Sequence, residues 1–405
     1  MQQEQPIWIT GIGALSPLGA GFDEISTGLL GGKSAIRPID DFEVGEHPCR
    51  IAGQLRLPSA PPELEAARYD SLFPLEKCVL ACCVQALADA GLWERRQEVR
   101  IGLALGTAAE WMSHWDADTR RGGTLIRRAA PDYRPLTDTI CDALGLSGPA
   151  VSVAAACASG NVALAQACDW LRMGWVDVCL AGACDMGVTP YSLASFGNLR
   201  ALSRRNDEPT AAARPFDRDR DGMVLGEGGA MFVLQADDCV EADRAYGEVA
   251  AIGMTSDAYH LVTPSPEPVQ AIAAMRQALS QAEVEPGSID YINAHATGTP
   301  VGDACEARIL HAVLGPHRMR VPVSSTKGMT GHLLGAAAAI EALACLTAIT
   351  RDAIPPTINL DHPDAECALD HVANAARPAK VRVAVSNSFG FGGHNTSLVL
   401  KAVGK

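Results

Sequence analysis

Val151–Gly174 reads VSVAAACASGNVALAQACDWLRMG, and Val321–Ile349 reads VPVSSTKGMTGHLLGAAAAIEALACLTAI. Each segment opens as a short β-branched run and turns through small residues that carry one reactive side chain, Cys157 or His332. Each then continues as an Ala-rich helix. Two segments built to one plan predict a duplicated α/β core in which each half brings one reactive turn to a shared site. The turns differ in length, so the repeat is not strict, and chance similarity between Ala-rich helices is the competing explanation.

The rest of the chain fits that plan. Short apolar runs predict strands over Ile7–Thr10, Ile101–Leu105, Val176–Ala181, Ala230–Leu234, Tyr246–Met254, Ile289–Ala294, Val321–Ser324 and Val381–Ser386. Helical stretches alternate with them at Leu75–Ala90, Gly160–Met173, Pro268–Ala282, Ala304–Leu314 and Gly335–Ile349. This alternation predicts an α/β fold with sheets buried on both faces. No low-complexity linker separates two globules, and the halves divide at 1–242 and 243–405. The Pro-, Gly- and charge-bearing stretches Ile36–Pro62 and Ser203–Gly229 belong on the surface near an opening.

Composition narrows the function. The 405 residues carry 47 acidic and 33 basic side chains, a net charge of −14, which repels phosphate backbones and excludes bulk nucleic-acid binding. Hydrophobic residues make up 48% and aromatics 5%, so the core is built from Ala, Val, Leu and Gly and not from rings. The opening MQQEQPIWITG lacks the basic and apolar regions of a secretory signal. The weakly polar run Gly331–Ile349 is broken by His332 and Glu341, so it reads as a buried helix and not a membrane span. Thirteen scattered cysteines, an odd number, predict reduced thiols and a cytoplasmic location, most of them small core residues.

Cys157 stands apart among them. It follows a strand at the mouth of a helix, where unpaired backbone N–H groups favour the thiolate, and its small neighbours permit a sharp turn. His295 ends YINAH before the Gly/Thr turn ATGTPVGD, and His332 lies between a Ser/Thr/Gly turn and the following helix. Three strand ends thus converge on a Cys–His–His constellation. A zinc site is the rival, but no Cys-x₂₋₄-Cys or His-x₃₋₅-His pair accompanies it, so no metal is expected. In VAVSNSFGFGGHNTSLVL two strands flank Phe389–Gly393, and the glycines around Phe391 allow main-chain N–H groups to face a ligand oxygen.

The segments WITGIGALSPLG, SVAAACASG, RPFDRDRDGMVLGEGGA, NAHATGTPVGD, SSTKGMTGHLLGAA and SNSFGFGGHN, in this order along the whole chain, resemble the β-ketoacyl-acyl-carrier-protein synthase family, in its Cys–His–His branch. The resemblance implies the thiolase fold: duplicated halves in a five-layer αβαβα arrangement, paired as a homodimer or as a heterodimer with a related ketosynthase-like subunit. It implies that Cys157 takes an acyl chain from the phosphopantetheine of an acyl carrier protein, with the N–H groups of Cys157 and Phe391 as oxyanion hole. His295 and His332 would then promote decarboxylation of a malonyl thioester, while loading would rest mainly on the oxyanion hole. Lys327 and Glu341 match charged positions beside the second histidine, which they would orient and tune. Thr297 and Thr299 match positions that hydrogen-bond the pantetheine arm, and no cofactor or metal is needed. Arg127, Arg128, Arg204 and Arg205 are candidates for carrier-protein docking.

Three departures bear on substrate. GTAAEWMSHWD replaces a glycine-rich stretch and puts Trp111 at the acyl pocket. APDYRPL places Asp132, Tyr133 and Arg134 where apolar residues reach the partner's pocket. His394 replaces a threonine. These shift the expectation from housekeeping fatty-acid elongation towards an equal chance of specialised polyketide or polyene synthesis. Two alternatives remain: a thiolase, which would need a second cysteine near the C-terminal glycine loop, and a chain-length partner subunit, which would lack the nucleophile.

Overall fold

The computed structural model describes residues 5–404 apart from 109, 124–133 and 237–244, so the boundary drawn at 242/243 lies outside the described residues. Ten strands carry the architecture. Those of the first half are β1 (Ile7–Ser16), β2 (Ile101–Gly106), β3 (Ala150–Val153), β4 (Val178–Asp185) and β5 (Gly228–Ala236), in spatial order β3-β2-β4-β5-β1. Those of the second half are β6 (Gly247–Ser256), β7 (Tyr291–Asn293), β8 (Pro322–Ser324), β9 (Val383–Gly390) and β10 (His394–Lys401), in order β8-β7-β9-β10-β6.

Both halves therefore read third, second, fourth, fifth, first. Their pairing senses agree as well: parallel among the first three strands in space, antiparallel for the last two. The sheets join where β1 and β6 pair antiparallel, Trp8 opposite Glu248 and Ile9 opposite Gly247. The duplication suspected from two segments is thus a duplication of topology.

Seven helices matter for the site: α1 (Pro74–Asp89), α2 (Glu110–Arg120), α3 (Leu136–Leu144), α4 (Ser159–Arg172), α5 (Val269–Gln281), α6 (Pro300–Leu314) and α7 (Ala337–Arg351). The strand period of two decides which face meets which helix. On β2 and β4, Leu103, Leu105, Val178 and Leu180 join the core under α1 and α3, whereas Ala104, Cys179 and Ala181 face a central core with α4 and α7. On β9 and β10, Val385 and Val399 face the core under α5 and α6, whereas Ala384, Leu398 and Leu400 face the central one. The layers are accordingly helix, sheet, helix, sheet, helix, which is the thiolase arrangement.

The quoted repeat segments are the strand–turn–helix units β3–α4 and β8–α7, and α4 and α7 pack together in the middle layer. Leu334–Arg351 is long and apolar enough to cross a bilayer, but it is buried between the two sheets. Its Ile340, Leu343 and Leu346 are almost completely buried, and each such side chain contributes roughly 1.5–3 kcal/mol of transfer free energy. None of the twelve described cysteines forms a disulfide; ten are buried, and only Cys141 and Cys157 are partly exposed.

Two elements differ from the sequence expectation in ways that reach the site. The strand expected to stop at Ala181 continues to Asp185, because β5 pairs with it residue by residue as far as Gly228. The stretch from Glu110, expected only to border a pocket, is the helix α2. Of the two loop-like stretches, only the second reaches the opening, through Asp221, Gly222 and Met223.

Candidate active site

A cavity of about 520 Å³ opens at the strand ends where the two halves meet, and Cys157, His295 and His332 all line it. Cys157 comes from the β3–α4 turn. Ala156 before it has φ +49°, a left-handed conformation that L-residues adopt only at a cost, and the kink aims the cysteine away from its strand. His295 leaves the end of β7, and His332 leaves the turn between β8 and α7. The Cys157 Sγ and His332 Nε2 atoms are 3.1 Å apart, and the His295 and His332 rings meet edge to face with centroids 5.4 Å apart.

The electrostatics overturn one expectation. The helix terminus does not leave Cys157 as a thiolate: burial pushes its thiol up to about 12, although the Lys327 charge and the Phe391 N–H both favour the ionised form. Burial, with the Lys327 charge adding to it, holds His332 well below the usual imidazole value. His295 is lowered by the same two causes and by His332. The resting pair is thus a neutral thiol against a neutral imidazole that can accept its proton.

Lys327 is a neighbour of His332 in sequence but serves His295 in space. Its ammonium donates to the His295 carbonyl and pairs with Glu341, and it lies 3.4 Å from His295 Nδ1. The reason is register: β7 and β8 pair in parallel, Asn293 beside Ser324, so the residues after each strand emerge together. Glu341, raised by burial and steadied by Lys327, also accepts from Ser388 Oγ at 3.3 Å.

Glu306 went unnoticed in the sequence. It reaches back from α6 and accepts from the N–H groups of His295 (2.9 Å) and Ala296 (2.7 Å), with burial pushing its carboxyl up to about 7. The signal available was a carboxylate among the apolar residues of the helix, with a second, Asp303, one turn before it.

The donors of Cys157, His295 and His332 lie within 4.8 Å of one another, close enough to surround a soft cation. The Lys327 ammonium beside His295 opposes a second positive charge there, and the Phe391 N–H already faces the sulfur. The donor set fits proton transfer and thioester chemistry better than metal binding. Cys78, Cys82 and Cys184 form a second close group, packed where α1 meets β4.

Phe391 belongs to the turn between β9 and β10, which lies directly on the Cys157 turn. A Cβ at Gly390 would stand 2.7 Å from the Ala155 carbonyl oxygen and 3.2 Å from Cys157 N. Gly390→Ala should therefore push the Phe391 N–H off the sulfur. The expected result is a stability loss of about 1–3 kcal/mol with a larger loss of acyl loading, read by thermal unfolding and by mass spectrometry of the acylated protein.

Thr297 and Thr299 both line the cavity, their hydroxyls 3.0 Å apart. Cys305 also lines it, but from α6 and not from the glycine turn itself, with Phe389 packed against its cluster; its thiol lies 3.9 Å from the Ser265 carbonyl.

Several expected residues fall elsewhere. Trp111 is 38% exposed, and Met112 lines the cavity in its place. Successive helix residues point about 100° apart, so with Met112 inward Trp111 turns out. Tyr133, Asp132, Arg127 and Arg128 lie outside the described residues. Arg134 pairs with Asp142 on the surface, and His394 opens β10 opposite Gly390 without lining the cavity. Arg205 donates to the Asp219 carbonyl at 2.7 Å and lies 3.7 Å from Asp221, so its charge is largely compensated. Arg204 is exposed, and the basic residue on the cavity rim itself is Arg200, which the sequence reading passed over.

A duplicated five-layer fold with a nucleophilic thiol and two imidazoles at the junction of its halves defines the thiolase-fold condensing proteins. The chain belongs to the β-ketoacyl synthase family: the Beta-ketoacyl synthase N-terminal domain matches residues 4–238 and the C-terminal domain residues 246–361. It is 38% identical to a 3-oxoacyl-[acyl-carrier-protein] synthase 2 of Synechocystis sp., over 98% of each chain. It is 36% identical to a putative polyketide beta-ketoacyl synthase 1 of Streptomyces halstedii, over 97% of each.

Among solved structures it is similar to a beta-ketoacyl synthase from Burkholderia phymatum STM815, with 32% identity, a TM-score of 0.88, and coverage of 99% of this chain and 100% of that one. It is also similar to the ishigamide ketosynthase/chain length factor, with 30% identity, TM-score 0.87 and the same coverage. A third similar structure is a type II polyketide-synthase acyl-carrier protein in complex with its ketosynthase bound to the hexaketide, with 28% identity, TM-score 0.85 and again the same coverage.

Proposed function

We propose that this β-ketoacyl-acyl-carrier-protein synthase extends an acyl chain held on Cys157 by decarboxylative Claisen condensation. Membership of the family makes the chain an acyltransferase of the condensing type, in fatty-acid or polyketide synthesis. The observation that carries the residue roles is the 3.1 Å approach of Cys157 Sγ to His332 Nε2 in a cavity shared with His295.

In loading, the Cys157 proton passes to His332 as sulfur attacks the thioester carbonyl. The Cys157 and Phe391 N–H groups hold the oxyanion, and the departing pantetheine sulfur takes the proton. In condensation, the bond from the malonyl Cα to its carboxylate breaks and carbon dioxide leaves. The electron pair becomes an enolate held by the two imidazole N–H donors. Its carbon attacks the acyl carbonyl, and Cys157 departs as thiolate and takes a proton from solvent. Carbon dioxide release drives the step, so the scheme calls on no cofactor or metal. Lys327 and Glu341 orient His295, and Thr297 and Thr299 hold the pantetheine arm.

The partners follow from the same reading. An acyl carrier protein presents the thioesters, and the strand β3, whose outer edge is unpaired among the described residues and partly exposed, offers a pairing edge to a second ketosynthase-like chain. Carrier proteins are acidic, and so is this chain, so attraction must be local. Charge reversal at Arg200 and Arg204 together should raise KM for carrier-bound substrate roughly tenfold at low salt, with the difference shrinking as salt is added. Steady-state kinetics across a salt series measures it.

The test of the function is sequential. Intact-protein mass spectrometry after incubation with acyl-carrier-protein thioester should show an acyl adduct on Cys157. Adding the malonyl thioester should remove the adduct and yield a carrier-bound product two carbons longer. An adduct on any other residue, or no dependence on malonyl, overturns the reading.

A further inference from the structure

His332 presents a geometric problem. Catalytic imidazoles are commonly aimed by a hydrogen bond at the second ring nitrogen, yet His332 Nδ1 is buried with no hydrogen-bond partner among the described residues. Beyond the His295 ring packed against it, what fixes the His332 ring against Cys157 is the hold on its main chain. On one side the backbone is held by a bridge to Leu225: His332 N–H donates to the Val224 carbonyl at 2.7 Å, and Gly226 N–H donates to the His332 carbonyl at 2.9 Å.

On the other side stands Asp185, the last residue of β4 and fully buried. Its Oδ2 accepts from Gly335 N–H at 2.6 Å. The same carboxylate accepts from Ala108 N–H at 3.1 and 3.0 Å, and from Thr107 Oγ1 at 2.6 Å.

The two loops so joined belong to opposite halves of the fold, and both build the cavity. Ala108 lines it from the first half, and Leu334, next to Gly335, lines it from the second. The junction is tight: Leu334 has φ +52°, and a Cβ at Gly335 would lie 2.6 Å from Ala108 N and 2.7 Å from Asp185 Oδ2. A buried carboxylate is costly unless its oxygens are well bonded. Here the bonds it makes fasten the turn three residues after His332 to a fixed wall.

We propose that Asp185 is a positioning residue: by tying the Gly335 turn to the Ala108 loop, it holds His332 in line with Cys157. It touches neither substrate nor sulfur. It rests on the reading of Cys157 and His332 given above and adds to it the device that aligns them. Replacement by Asn keeps the volume but turns an amide NH₂ towards N–H groups that need an acceptor, so one of the two loops is released. A misplacement on the order of 1 Å can cost about a hundredfold in rate.

The experiment compares two reactions of the same thiol. Acyl transfer from a carrier-bound thioester near neutral pH needs His332 in place to take the proton, whereas alkylation by iodoacetamide at pH 10 draws on thiolate that hydroxide itself forms. Asp185 also disfavours the Cys157 thiolate by its charge, so neutralising it does not slow alkylation. In Asp185→Asn we expect acyl loading to fall about a hundredfold while alkylation is unchanged or faster. Thr107→Val, which removes one donor to the carboxylate and is the gentler variant should Asp185→Asn not fold, should show the same split at smaller size. A parallel loss of loading and alkylation, or no loss of loading in either variant, overturns the proposal. Absence of acyl loading in the unaltered protein would instead bring down the reading of the site itself.

Discussion

In Cys157→Ala, acyl loading should fall below about one part in 10⁴ of the unaltered protein, because no other group in the cavity combines a nucleophilic sulfur with a base at hydrogen-bond distance. The fold should survive. Alanine fits a turn already made of alanines, and the deleted thiol leaves the His332 Nε2 and Phe391 N–H contacts unmade, a cost of about 1–2 kcal/mol. Malonyl decarboxylation should persist in this variant, since the enolate donors are intact, and carbon dioxide release measures it directly. An acyl adduct that still formed would place the nucleophile elsewhere, with Cys305 as the first residue to examine because it also lines the cavity.

The second large effect separates the two histidines. Removing one preorganised donor to a developing oxyanion costs about 10²–10³ in rate, so His295→Ala and His332→Ala should each slow malonyl decarboxylation by that much. Loading should distinguish them. His332 is the ring at the sulfur, so His332→Ala should also impair acyl transfer. His295→Ala, whose ring is engaged with Lys327, should leave acyl transfer nearly intact. Equal effects on loading would contradict this division.

The pH dependence follows from the same environment. Both imidazoles are held well below 6.5, mainly by burial. They stay neutral as pH falls through the ordinary histidine range, and activity should be lost only below it. Loading rates measured between pH 8 and 6 should accordingly show no histidine titration.

Much of this site was open to reading because its signals are local. Cys157, His295 and His332 each stand at the end of an apolar run and before a glycine- or alanine-rich turn, and the family's motifs surround all three. What was missed is non-local. Trp111 and Met112 are adjacent, and only the seating of α2 decides which faces the cavity. Arg204 and Arg205 look alike in sequence, yet Asp219 and Asp221 engage only the second through its side chain. A thiol at a strand–helix turn suggested a thiolate, but the depth of the site outweighs the turn.

By itself the sequence determined the duplicated α/β core and the three residues that meet in the cavity, because periodicity, small-residue turns and repeat structure are written over short spans of chain. Only the tertiary structure decided that the Lys327 ammonium bonds at His295 and acts on its sequence neighbour His332 by charge, because the parallel register of β7 and β8 sets strand ends side by side. It likewise decided that Glu306 holds the main chain at His295 and that Asp185 joins two loops 227 residues apart, Ala108 and Gly335. A buried carboxylate takes its meaning from the N–H groups that fold against it, and those come from other elements of the chain.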